Sequence, residues 1–444
     1  MTNDNISRCI GKILFLILVF SFSSPRVWGQ SGSWDEVGNQ EDYSASGTTI
    51  TIANAKQLAK LAAVVNGGAD FSAVTINLSA DINLSAHYWV PIGTAAYPFN
   101  GTFNGNNKTV SGLNINDGSL DNAGLFGYAS GATIRNLTVT AGSIAGDENV
   151  GVLAGSLISS TISDCSVSAT SISGKRNVSA LVGYRDEITV TSCSVTGATA
   201  VSLANKADNS TALSGCQNKP CDVTLSDRTL YKDGNWNTIC LPFDYDPAYG
   251  VLAGDGVEIY ALTSAAIAGT RLNLTFGENV AGNGVMHAGT PYIIKWNNTG
   301  VNLSTLVFHG VVPRVTAPVD YDNGDSGDAQ VRFRGTLSPQ TLTAQDQSVL
   351  FMGNGNTLYY PKNNTTIGSC RAYFQIGGGA GAPQLDSFDF TFGKEETMGI
   401  ITVSDVRSQK SDGWFDLSGR RIANGQKPTA KGLYIHNGKK RIIK

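Results

Sequence analysis

The sequence predicts an all-β protein organised around a right-handed parallel β-helix, and three observations carry that prediction. A shift of 28 residues lays like residues on like without a gap, so that Leu125, Leu153 and Leu181 coincide, as do Gly127, Gly155 and Gly183. The repeated segments are short and β-branched, and a period in the twenties of that kind marks coils that stack strand on strand. The chain also holds 51 Gly among 444 residues and only 15% charged residues, against roughly 25% in an average soluble domain. Helical bundles need Glu and Lys to clothe their outer faces, and disordered tails need high net charge, so both classes are excluded at a net charge of -3. A dedicated nucleic-acid binder is excluded as well, because it would carry a basic surplus.

Residues 1–29 read as a signal peptide. Arg8 and Lys12 precede an apolar run over 13–20, and Val27 and Gly29 place small residues before a cleavage point at Gln30. Cys9 precedes the apolar run, so it is not placed to receive a lipid at the new terminus. No later run of about 18 apolar residues occurs, so no transmembrane helix is expected in the mature chain. Residues 30–47 are expected to be an N-terminal linker. Asn54 with Gln57 three positions on forms a capping box, and Leu58, Leu61, Ala62 and Val65 recur at helical spacing. That predicts one amphipathic helix closing the open end of the solenoid, whose strand edges would otherwise be free to aggregate.

The β-helix is expected over 48–200. Ile134, Ile162 and Val190 coincide, followed by Leu137, Cys165 and Cys193, then Val139, Val167 and Val195, and these columns supply the apolar interior. Gly127, Gly155 and Gly183 suit corners needing positive φ or close backbone approach. Asp121, Asn149 and Asn177 form a turn column. A shorter coil precedes, with Val110, Leu113 and Ile115 matched to Ile134, Leu137 and Val139 at a shift of 24, and residues 74–84 alternate as one more coil.

The motifs Trp89-Val-Pro-Ile-Gly93, Pro98-Phe-Asn-Gly-Thr-Phe-Asn-Gly105 and Gly124-Leu-Phe-Gly127 resemble the GLUG-repeat proteins exported by Bacteroidetes. Ser179-Ala-Leu-Val-Gly183 lacks the first Gly of that pattern. The resemblance implies the fold and a surface or secreted setting, including large adhesins, and it accompanies several functions.

Residues 201–221 are polar and aperiodic and are expected to be a linker. From 222 to 397 many short strands separated by Gly, Asn and Asp predict an antiparallel β-sandwich. Its runs Trp236-Asn-Thr-Ile-Cys-Leu-Pro-Phe243 and Cys370-Arg-Ala-Tyr-Phe-Gln-Ile376 are similar to a β module found after surface repeats in the same bacterial group. Residues 398–444 are expected to be a small basic module of two β-hairpins, turning at Ser418-Gly419 and at Asn437-Gly438. It resembles a short type IX secretion sorting domain, which implies the secretion machinery as a partner. From Gly413 onward eight Lys and Arg face one Asp, a charge that suits either gatekeeping of edge strands or sorting and anchoring.

Candidate chemistry is sparse. Asp320, Asp322, Asp325 and Asp328 supply oxygens for calcium, although not at EF-hand spacing, and a solvated acidic turn is the competing reading. No other cofactor is implied. Gly324-Asp-Ser-Gly327 is similar to the nucleophile loop of chymotrypsin-like proteases, but Asp328 stands where Gly is required and no partner His motif accompanies it. His87, His287, His309 and His436 include no pair at metal spacing, and Gly377-Gly-Gly-Ala-Gly381 opens no helix. Cys216 with Cys221, and Cys240 with Cys370, are disulfide candidates, whereas Cys165 and Cys193 are expected to be buried apolar thiols because they share a column with Leu137. Trp296, Tyr359 and Tyr360 are candidates for stacking on sugar rings, with sandwich core as the competing reading.

A polysaccharide lyase on a β-helix needs charged residues stacked on one outer face. Arg135 aligns with Ser163 and Thr191, and Asp164 with Asn136 and Ser192, so the expected exterior is neutral. These features point to an exported, non-enzymatic surface protein binding a glycan or a surface protein. A carbohydrate-active enzyme and a purely structural surface component stay open beside it.

Overall fold

The computed structural model describes residues 32–248, 250–254, 256–281, 284–377, 384–393, 396–402, 414–415, 432–436 and 439–443. The expected signal peptide at 1–29, Cys9 and the expected turns at 418–419 and 437–438 lie outside them. The described residues are mostly β-strand, and a β-solenoid of about five turns precedes the other sheets.

Strands Thr49–Ile52, Thr75–Leu78, Thr102–Asn116, Thr133–Ala145, Thr161–Ser173 and Thr189–Thr191 lie parallel and in that order along one face. A second face stacks Phe126–Ser130, Ala154–Ile158 and Val182–Asp186, and a third pairs Glu148–Val150 with Arg176–Val178. Where the 28-residue shift operates, the register follows it: Ile162 faces Ile134 and Val190, and Val167 faces Val139 and Val195. Alternation turns every second side chain inward. Ile50, Ile76, Phe103, Ile134 and Ile162 therefore fill one seam, and the last four are wholly buried. Removing each from water is worth about 1.5–3 kcal/mol, repeated once per coil.

Three details of the repeat differ from expectation. In strand Thr102–Asn116 it is Phe103 that faces Ile134, while Val110 faces Val139 and Ile115 faces Ile144. The shift of 24 fails because the register slips between Asn104 and Lys108, where Asn106 and Asn107 adopt positive φ and absorb the extra residues within the strand. The Asn column is Asn122, Asn149 and Asn177, not Asp121. Asn177 Nδ2 donates to Asn149 Oδ1 at 2.6 Å and Asn149 Nδ2 to Asn122 Oδ1 at 3.1 Å. All three sit at positive φ, a conformation Asn tolerates through local hydrogen bonding. The Gly column is set by close approach alone: a Cβ on Gly155 would lie 2.3 Å from the Asn122 carbonyl carbon, and one on Gly183 2.4 Å from Val150 N.

The expected linker at 30–47 is instead part of the fold over its described residues. Trp34 is buried and donates its indole N–H to the Leu84 carbonyl at 3.0 Å, and strand Ser44–Ser46 runs antiparallel to Thr49–Ile52. One isolated Trp carries no periodic signal, which is why the sequence pattern misses it. The antiparallel strand occupies the edge that the first coil would otherwise expose. Helix α1, Ala55–Asn66, forms with half of the expected capping box: the Asn54 side chain accepts from Gln57 N–H, but Gln57 Oε1 accepts from Ala53 N–H, one residue before the N-cap. It connects two neighbouring parallel strands and buries Leu58, Leu61, Ala62 and Val65 in the solenoid core. The helix is thus the crossover of the first coil, while strand Ser44–Ser46 closes the edge.

The expected linker at 201–221 is also structured. Strand Thr199–Ala204, helix α2 at Ser210–Cys216 and strand Cys221–Ser226 follow one another, with the two strands parallel and in register. Val201, Leu203, Val223 and Leu225 alternate inward, but each strand is too short to show a period on its own. Strand Leu306–Val311 joins this sheet antiparallel to Cys221–Ser226. Val312 then enters the solenoid core, so this sheet closes the far end of the stack.

A six-stranded sheet orders Asn237–Cys240, Pro291–Trp296, Val257–Ala268, Arg271–Phe276, Ser387–Phe392 and Glu396–Thr402. A five-stranded sheet orders Tyr321–Asp322, Val331–Thr336, Arg371–Ile376, Val349–Gly353 and Thr357–Tyr359. Phe276, Phe388 and Phe390 from the first share a core with Phe333 and Phe374 from the second. The expected all-antiparallel pairing does not hold, because Arg271–Phe276 and Ser387–Phe392 run parallel, brought together by a connection long enough to cross the module. Strands Trp414–Phe415, Gly432–His436 and Lys439–Ile443 form a separate antiparallel sheet.

Candidate functional site

The solenoid register assembles a feature that pairwise alignment at one fixed shift does not reveal. Thr49, Thr75, Thr102, Thr133, Thr161 and Thr189 face one another in sequence across neighbouring strands. They flank the inward Ile and Phe seam and therefore point outward. At about 4.8 Å per strand the six hydroxyls span about 24 Å. Two positions on, the neighbouring column reads Thr51, Asn77, Asn104, Arg135, Ser163 and Thr191. Asn104 Nδ2 donates to Asn77 Oδ1 at 3.1 Å, and Asn136 Nδ2 to Asn104 Oδ1 at 3.0 Å, which fixes the amides of that edge. Beyond a turn, Thr109, Thr138, Ser166 and Ser194 make a further hydroxyl row, with Ser194 bonded to Ser166 at 3.2 Å.

Arg135 is the single charge in the two columns flanking the seam, and it faces Ser163 with Thr191 next in the row, as the 28-residue alignment expects. Charges of the solenoid concentrate elsewhere, at the third face, where Lys175 pairs with Asp147 at 2.8 Å and Arg176 with Glu148 at 2.5 Å. Each such pair is separated by 28 residues, so it was readable from the repeat and was missed.

A second feature is a cavity of about 500 Å³ between the last coil and the sheet that closes it. Arg185 and Cys193 line it from the solenoid, Asp222, Phe308 and His309 from the following strands, and Asp246 from a loop. Asp244 anchors its floor. One oxygen accepts Val178 N–H of the solenoid at 2.9 Å, and the other accepts Ala288 N–H at 2.8 Å and Arg314 Nη2 at 2.7 Å. Burial raises this carboxyl, but His287, Arg314 and the Ala288 N–H together hold it below the usual range. His287 Nδ1 stands at 3.9 Å, so Arg314 is the direct cationic partner. Asp246 pairs with Arg185 at 3.3 Å, yet burial leaves its carboxyl raised. Tyr245 between them is pushed up to about 12 by burial. At the other wall, His309 Nδ1 lies 3.3 Å from Asp222. These alternating acids, Asp-Tyr-Asp at 244–246, were the available signal in the sequence.

The sequence-derived candidates are dispersed. Asp320 binds Arg334 Nε and Gly335 N–H, each at 3.0 Å, and Asp322 binds Arg332 at 2.6 Å and Gly324 N–H at 3.0 Å. The Arg332 bond holds Asp322 below the usual carboxylate range. Asp325 accepts Asn323 Nδ2, and Asp328 is exposed in a short 3-10 turn. Two of the four carboxylates are thus neutralised by arginine, and among the described residues no group of three or more His, Cys, Asp or Glu is arranged to hold a metal. The calcium candidate is not supported. Trp296 is 1% exposed, so its ring cannot stack on a sugar. Tyr359 and Tyr360 are half-buried neighbours at the end of a strand, and alternation directs them to opposite sides. Tyr359 faces Phe351, whereas Tyr360 accepts Leu385 N–H and joins the inner core, so the pair forms no shared platform.

All six cysteines among the described residues are free thiols, including Cys216, Cys221, Cys240 and Cys370. Cys165 is buried as its column requires, but Cys193 is only partly so. His87 packs edge-on to Trp34, and Gly377 follows strand Arg371–Ile376, with residues 378–383 outside those described.

No known protein family matches this chain, and no solved structure matches it. Halomucin of Haloquadratum walsbyi is 34% identical to it over 120 residues. That stretch is 26% of this chain and 1% of halomucin, so the likeness assigns neither family nor activity.

Proposed function

We propose that this chain is an exported, non-enzymatic surface protein that binds an extended neutral glycan along the hydroxyl face of its solenoid. The observation that supports this most is the in-register row of six threonines. An extended polysaccharide presents hydroxyls and apolar ring faces that recur along one axis, and a threonine row offers both a hydroxyl and a methyl at each step. Flanking Asn and Ser add donors and acceptors without the charge that acid–base work on a sugar would need. Export rests on the N-terminal pattern of residues 1–29, and the surface setting on the resemblance to GLUG repeats. In the same reading the two phenylalanine-rich sheets form a β-sandwich, and the basic C-terminal strands serve sorting or anchoring.

The test is an array of neutral polysaccharides probed with the purified chain and with a Thr102→Val, Thr133→Val, Thr161→Val variant. Valine keeps the branched shape and removes the hydroxyl. Retention by the parent chain and at least tenfold weaker retention by the folded variant are expected. Undiminished binding by the variant, or release of reducing or unsaturated sugars, would overturn the reading.

A further inference from the structure

The six cysteines among the described residues are not scattered. Cys221 Sγ reaches the Cys216 carbonyl at 3.9 Å, and Cys240 N–H donates to the Cys370 carbonyl at 3.3 Å. The remaining two, Cys165 and Cys193, lie in the last two coils. Ser163 faces Thr191 and Ser166 faces Ser194, so one constant offset places Cys165 opposite Cys193. Their Cα atoms are then one strand spacing apart, about 4.8 Å, within the roughly 4.4–6.8 Å that a disulfide spans. Both side chains point into the seam, where Cys165 Sγ donates to the Ser163 carbonyl at 3.3 Å and Cys193 Sγ to the Thr191 carbonyl at 3.5 Å. The pair differs from the other four cysteines in access. Cys165 is buried, while Cys193 is part-exposed and lines the junction cavity.

From this geometry we infer that Cys193 and Cys165 are a modification site, at which a small-molecule disulfide entering through the junction cavity converts the two thiols into a bridge between the last two coils. Cys193 acts first, because the reagent reaches it from the cavity. Its thiolate attacks one sulfur of the incoming disulfide R–S–S–R, forming a Cys193–S–S–R bond and releasing one R–S⁻, which takes up the proton Cys193 gave up. Cys165 then loses its proton and attacks the Cys193 sulfur. The Cys165–Cys193 bond forms, the Cys193–S–R bond breaks, and a second R–SH leaves. Two protein thiols are oxidised and one small disulfide is reduced to two thiols. The division of labour agrees with the local electrostatics. The neighbouring Cys165 thiol pulls Cys193 down to about 7, while Cys193 and burial push Cys165 up. A thiol titrating near ambient pH is the better attacking group.

The test incubates the folded full chain with oxidised glutathione, blocks remaining thiols with N-ethylmaleimide and maps tryptic peptides. Trypsin cuts at Lys175, Arg176 and Arg185, so the two cysteines fall on separate peptides. Expected is a joined pair of peptides linked through Cys165 and Cys193, lost on reduction. In Cys165→Val, glutathione is expected to stay on Cys193, and in Cys193→Ser, Cys165 is expected to stay unmodified by glutathione. Should either variant fail to fold by circular dichroism, the parent map alone decides. N-ethylmaleimide on both cysteines of the parent chain, or glutathione retained on Cys193 with Cys165 free, would overturn the inference.

Discussion

The solenoid and the sheets that follow it bury similar kinds of side chain by different logic. In the solenoid, Ile134, Ile162 and Val190 occupy one seam because each coil repeats its neighbour. In the later sheets, Phe276, Phe333 and Phe374 meet from strands far apart in sequence, with the Phe333 and Phe374 rings stacked at 4.5 Å. Nearest-neighbour stacking makes the first region a sum of similar units, while the second depends on long-range closure. The junction, held through Asp244, is where the two must agree.

The largest expected effect lies at that junction. Asp244→Ala leaves Arg314 buried beside no carboxylate and frees Val178 N–H, and breaking a buried pair in this way costs about 3–5 kcal/mol. A urea titration followed separately in the two regions is expected to show their transitions parting. One unshifted transition would contradict the role given to Asp244.

Within the solenoid, Ile162→Ala empties a fully buried site between two neighbours and is expected to cost about 2–5 kcal/mol. Hydrogen exchange should rise in the coils flanking residue 162 and stay unchanged in Arg271–Phe276. Uniform acceleration would mean that the solenoid lacks local character.

A smaller effect separates two glycines. Gly155→Ala forces a Cβ onto the Asn122 backbone and is expected to cost about 1–3 kcal/mol. Gly131→Ala has open space but positive φ, so about 1–2 kcal/mol is expected from conformation alone. A thermal melt in which Gly131→Ala is the more damaging would contradict the close-approach account of the corner.

The mildest effect is on pH dependence. Asp244 has its pKa lowered in the folded chain, so its ionised form contributes stability that is present above the unfolded carboxylate range and is lost as pH falls through the folded value. Asp244→Asn is expected to flatten the acid limb of stability against pH, and an unchanged limb would place the acid sensitivity elsewhere.

How much of this was readable in the sequence follows from the same contrast. The 28-residue columns and the near-neutral columns beside the seam are visible because identical environments select similar residues, and the N-cap of α1 because Asn54 opens a helical period. The threonine row escaped because its spacing changes along the chain, from 26 and 27 residues to 31 and then 28, so no single shift aligns all six. Trp34 and the strand pair of Thr199–Ala204 with Cys221–Ser226 escaped because each contact is made once. For Trp296 and the tyrosines the sequence left both sugar stacking and sandwich core open for a related reason: composition shows that aromatics are present, but only packing shows which ring is covered.

Spin labels at positions 49 and 189 test the stacked ladder most directly, since both threonines are exposed and lie at its two ends. Five strand spacings at about 4.8 Å place them about 24 Å apart. A single narrow distance distribution near that value, once label length is allowed for, is the expected result. A broad distribution, or one centred far from it, would contradict parallel in-register stacking and remove the binding face with it.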